Sequence, residues 1–138
     1  MYPFAMSDWL VKQGYAAAWA EVDHAELVRP AMNCFGGMLL CCALPDNVFD
    51  QFDAGAWDYV PGHEPDENEG HAVYQPGYNP GKVITWGRAI GITDAWAARC
   101  VRHRIVYFSH DQMTPGGLSE LGLDAAAMQR AIAGLRAS

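Results

Sequence analysis

The stretch from Gly70 to Gly87, GHAVYQPGYNPGKVITWG, constrains the fold more than any other part of the chain. Apolar side chains alternate through His71, Ala72, Val73 and Tyr74, which is the period of a half-buried strand. Asn79, Pro80 and Gly81 then supply the fixed φ and the permissive glycine that a tight connection needs. The segment therefore predicts a β-hairpin, with His71 at the entrance of its first strand and Trp86-Gly87 at the exit of its second. An imidazole next to Gly70, which leaves room for a substrate to approach, is placed to act as a general base.

The 138 residues fit one domain with its own core. Hydrophobic residues make up 51% and charged ones 18%, a globular composition rather than a disordered one. Nine Lys and Arg against sixteen Asp and Glu leave a net charge of −7, which argues against a surface that tracks nucleic-acid phosphates. The start, MYPFAMSDWL, has neither the basic nor the apolar region of a signal peptide, and nowhere do eighteen apolar residues run together. The expectation is a chain without a membrane span, made in the cytoplasm. Cys34, Cys41, Cys42 and Cys100 have no disulfide-framework spacing and read as reduced, buried thiols.

Taken in order, Ser7 and Asp8 begin a short amphipathic helix over about 7–13 that Gly14 ends, and residues 15–22 read as a strand. Asp23 and Glu26 have the spacing of a capping box for a second helix, which Pro30 delays or kinks. After Gly36 and Gly37 the run MLLCCAL, residues 38–44, predicts the central buried strand. Asp46 caps a helical turn that Gly55 stops, and PGHEPDENEG, residues 61–70, reads as an acidic surface loop. Thr93 caps a helix to about Val101, and residues 104–109 form a strand. From about 111 a tail carries a last amphipathic helix, capped by Asp124, with Met128, Ile132 and Leu135 on one face. Helices at both ends of a hairpin-rich middle give an α+β fold on an antiparallel sheet.

GHAV followed by VITWG resembles the β-rich half of papain-like cysteine peptidases. The whole chain, with its segments DWLVKQGY, RPAMNCFGGMLLCCALP and LDAAAMQRAIAGL, resembles the C-terminal part of a papain-like family found in bacteria and tailed bacteriophages. The resemblance implies a single half-domain over residues 1–138, with His71 at the position of the catalytic histidine and Gly70, Trp86 and Gly87 shaping the site. It also marks departures. The family's histidine is oriented by an asparagine two positions before the tryptophan, where Ile84 stands here. That leaves only the hydroxyl of Thr85, on a strand position expected to face the other way. The nucleophilic cysteine and the oxyanion-hole glutamine belong to a separate half to which nothing in this chain corresponds.

Two functions follow as expectations. In the first, the chain is a non-catalytic papain-like domain with a structural or interaction role, as in a bacteriophage capsid decoration or minor head protein. In the second, it is one chain of a split cysteine peptidase or amidase, His71 being the base for a thiol from another polypeptide. Either way an apolar face, for which Trp9, Trp19, Trp57 and Trp96 are available, should bind a protein partner or a second copy. No metal or cofactor is expected. The acidic loop is a solvated segment, and Cys100 with His103 is only half of a zinc motif.

Overall fold

A computed structural model describes residues 2–77 and 79–110. Four helices and seven strands follow one another as α1 (Pro3–Lys12), β1 (Ala18–Glu21), α2 (Ala25–Phe35), β2 (Gly37–Leu44), α3 (Val48–Ala54), β3 (Ala56–Trp57), β4 (Asp66–Pro76), β5 (Lys82–Thr85), β6 (Arg88–Ile92), α4 (Asp94–Cys100) and β7 (Val101–Phe108). The strands form one sheet in the order β1-β7-β2-β4-β5-β6-β3. The fold is α+β, but the sheet is mixed rather than antiparallel throughout, because the two-residue β3 runs parallel to β6. The C-terminal helix expected beyond 111 lies outside the described residues. Among the described residues no helix is long and apolar enough to cross a membrane.

By their contacts the described residues divide into two compact units, 2–20 with 106–110, and 21–105. In the first, α1 starts earlier than expected, with a proline in its first turn, where a missing N–H is harmless. Ser7 is therefore not a cap. It is fully buried inside the helix, donates to the Pro3 carbonyl at 2.9 Å and shares a 2.7 Å hydrogen bond with the Tyr107 hydroxyl. Trp19, 7% exposed, stacks on Phe4 and donates to Asp8 at 2.8 Å.

In the second unit the apolar run at 38–44 forms the expected central strand. β2 lies between β4 and β7, antiparallel to both, and Met38, Leu40 and Cys42 alternate onto the buried face. The capping box is absent, since α2 begins after His24, which makes no side-chain cap. Asn47 rather than Asp46 precedes α3, again without a side-chain cap. Gly36 ends α2 at a φ of 79°, where its N–H reaches the Met32 carbonyl at 2.8 Å. The hairpin turn packs on that end: Gly77 donates to the Gly36 carbonyl at 2.8 Å, and a Cβ at Gly77 would lie 2.8 Å from backbone atoms of Gly36 and Met32. Thr93 caps α4 as expected, accepting from the Trp96 N–H at 3.2 Å. Trp57 and Trp96 are both wholly buried and stack at 4.7 Å. Of the four tryptophans expected on an exposed face, only Trp9 is exposed; Trp86, 42% exposed, joins it.

Candidate functional site: a histidine clasped by Thr85 and Trp86

His71 is not at the entrance of its strand. β4 begins at Asp66, within the segment expected to be an acidic loop, so the imidazole sits mid-strand. The reason is a wide bulge: Leu44 pairs with Asp66 while Ala43 pairs with Gly70, so three residues of β4 stand out of register immediately before Gly70 and His71. On the other side of β2 the register also slips, from Cys41 opposite His103 to Cys42 opposite Val101, which leaves Arg102 out. The two bulges clasp each other. Arg102 donates to both carboxylate oxygens of Glu67, its Nε at 2.8 and 3.1 Å, and that contact holds the Glu67 carboxyl below its ordinary range. The acidic stretch stays on the surface, as expected, but is tethered there, with Glu64 3.7 Å from Arg99 and His63 bonded to Asp46 at 2.6 Å.

Thr85 faces His71, contrary to the expectation from sequence. Tyr74 pairs with Ile84 across β4 and β5, which sets Val73 opposite Thr85 and His71 on the diagonal from it. Positions 71, 73, 83 and 85 therefore share the covered face, and Val73, Val83 and Thr85 are all buried. Ile84 turns to the opposite face with Tyr74; both are over 40% exposed. The Thr85 hydroxyl and His71 Nε2 share a hydrogen bond of 2.7 Å. No described residue bonds Nδ1.

Trp86 covers the imidazole. Trp86 and Gly87 form the two-residue connection between the paired Thr85 and Arg88, and both have positive φ, 44° and 77°. Primed hairpin turns require such angles and normally take Asn-Gly. A tryptophan there is strained by about 1–2 kcal/mol, so contacts must hold it. Its indole stacks on His71 with centroids 4.6 Å apart and on Phe49 at 5.2 Å, and meets Phe52 and Trp57 edge-on at 5.1 and 5.8 Å. Partial burial lowers the His71 pKa below its usual 6.5. The imidazole is therefore neutral at pH 7, with one nitrogen fixed and the other available. Beside it, nothing lies within 4 Å of where a Gly70 Cβ would stand, so the approach expected there is open.

The nearest thiol in register is Cys42, directly opposite His71 on β2. Burial, reinforced by Cys41 and Cys100, pushes its pKa up to about 12, which keeps it a thiol. Cys100, at the end of α4, is raised to about 11 by burial, and Cys41 is raised by burial and by Glu21. Cys34, expected to be buried, is instead exposed in the last turn of α2. Among the described residues no group of three or more His, Cys, Asp or Glu could hold a metal ion. Compared with known proteins, the chain matches no family model, no curated protein and no solved structure.

Proposed function

We propose that the chain is the sheet half of a papain-like fold used for assembly, and that the aromatic surface over His71 is where a protein partner or a second copy docks. The observation that carries this reading is the stacked pair Phe49 and Trp86, 64% and 42% exposed, beside a half-buried histidine whose opposite thiol, Cys42, is held protonated by burial. Aromatic side chains that are rigidly held yet exposed bind with little further loss of freedom, and they dominate protein interfaces. The resemblance of the hairpin supports the papain-like part. By the same resemblance the proposed setting is a tailed-bacteriophage particle, as a capsid decoration or minor head component. The test is Phe49→Asp, which places a charge on this surface without touching the core. Association should weaken at least tenfold; unchanged association removes this surface from the interface.

A second reading is supported by the 2.7 Å bond from His71 to Thr85, because it fixes the imidazole through Nε2 and leaves Nδ1 without a described partner. In it, a docked polypeptide brings the thiol. With Nε2–H donating to Thr85, Nδ1 takes the thiol proton and the thiolate attacks an amide carbon. The imidazolium then protonates the leaving amine, and water hydrolyses the thioester. Hydrolysis of a peptide or acyl substrate by the assembled complex, abolished both by His71→Ala and by alkylation of all thiols, supports it. Activity that survives either change refutes it.

A further inference from the structure

We propose that the second unit holds a binding site for a small monocarboxylate with an apolar body, separate from His71, in the cavity that α2 and α4 roof over the sheet. The cavity measures about 470 Å³, within the range of ligand pockets. Its roof explains it. α2 turns the positions i, i+3, i+4, i+7 and i+8 from Ala25 toward the space, the stripe by which an amphipathic helix normally seals onto a core. Of that stripe only Met32 is buried, although the floor residues Leu40 and Val101 are themselves well covered. Close-packed interiors hold few voids of this size.

The polar groups on its wall give the ligand its sign. Arg29 comes from the roof and Arg104 from β7 on the floor. No carboxylate among the described residues lies within 4 Å of either guanidinium, whereas Arg99 and Arg102 are both paired with glutamates. Two arginines without an acid partner thus line one apolar-floored cavity, and their charge suits an anionic head group. Guanidinium groups bind carboxylates through paired hydrogen bonds, which fixes the head of a ligand whose tail lies on Met32, Leu40 and Val101. Asp94, in the first turn of α4, also lines the wall. It reduces the local charge to one net positive, which suits a monoanion and disfavours a phosphate dianion. Gln75, 8% exposed, is held by donation to the Pro80 carbonyl and adds a fixed polar edge. At about 30 Å³ for each water-sized atom the cavity holds roughly fifteen, enough for an eight-carbon acid.

The test is titration of the full chain with octanoate, octanol and octyl phosphate, followed by calorimetry and by backbone amide shifts. Octanoate should bind saturably below about 1 mM, shifting the amides of Gly77, Ala97 and Val101, with octanol and octyl phosphate each several-fold weaker. Arg104→Gln should weaken octanoate at least tenfold and leave octanol unchanged. Arg29→Gln, at an exposed position that folding tolerates, should weaken it less and carries the charge test if the Arg104 variant does not fold. Ala97→Phe, which fills the space, should remove octanoate binding while the thermal transition is kept. No saturable shift with octanoate, equal affinity for octanol, tighter binding of octyl phosphate, or insensitivity to both arginine substitutions would overturn the assignment.

Discussion

Replacing Trp86 with asparagine sets two terms of opposite sign against each other. Asparagine accepts the left-handed φ of 44° that tryptophan resists, which returns about 1–2 kcal/mol. Against this, the indole is 42% exposed, so somewhat more than half of a side chain that normally buries 150–250 Å² is lost from contact. Roughly 100–150 Å² at about 25 cal/mol per Å² is about 3 kcal/mol, and the stacks on His71 and Phe49 add ~0.5–1.5 kcal/mol. Trp86→Asn should therefore lower stability by about 1–3 kcal/mol, although it installs the residue the turn prefers. Urea unfolding followed by far-UV circular dichroism measures this without relying on the removed fluorophore. The same variant opens His71 to water, so an NMR titration should show its pKa rising toward 6.5. A variant as stable as the parent, with His71 titrating unchanged, would show that the aromatic cluster neither holds the turn nor shields the imidazole.

Removing the hydroxyl with Thr85→Val should destabilise by about 1–3 kcal/mol, the penalty for a partly buried polar atom left unpaired, and broaden the His71 ring resonances, while Thr85→Ser keeps both near the parent. Because burial holds the folded His71 pKa below its unfolded value, the unfolded chain binds the proton first. That contribution to stability is present above about pH 6.5 and is lost as pH falls through the folded pKa, and His71→Gln should flatten this part of the profile. Gly77→Ala should cost about 1–3 kcal/mol, measured by thermal melting, because its Cβ meets the backbone of Gly36 and Met32 and not a side chain that can turn away. With a thiol reagent at pH 8, Cys34 should react fast and Cys42 and Cys100 only on unfolding; early labelling of Cys42 would contradict its burial.

The parts of the fold that could be read from the sequence are those in which local chemistry and tertiary demand agree. The apolar run at 38–44 becomes the central strand because Met38, Leu40 and Cys42 bury one face while Leu39 and Cys41 are partly covered on the other, and Gly36, Gly55 and Thr93 punctuate helices where their backbone chemistry predicts. Ser7 misled because a serine that caps one helix can back-bond inside another, and only the distant Tyr107 hydroxyl decides which. β6 escaped notice because Arg88, Ala89 and Gly91 carry little strand propensity; pairing with β5 supplies it. His71 and Trp86 stand out in the sequence as the two ends of the hairpin, and the structure stacks them on each other. Thr85 does not stand out, because its orientation depends on register between strands, which no single strand encodes. The bulges at residues 67–69 and 102 were equally hidden, for the same reason, although the Glu67 and Arg102 charges that join them are plain in the sequence.

The central claim, that the surface over His71 exists to be covered by protein, is tested most directly by sedimentation velocity of the chain at micromolar concentration. The account predicts a concentration-dependent assembly that Phe49→Asp and Trp86→Asn each dissociate, while Tyr74→Ser on the opposite face of the sheet leaves it intact. A monodisperse monomer over the whole concentration range, or an assembly indifferent to both aromatic substitutions, would contradict it.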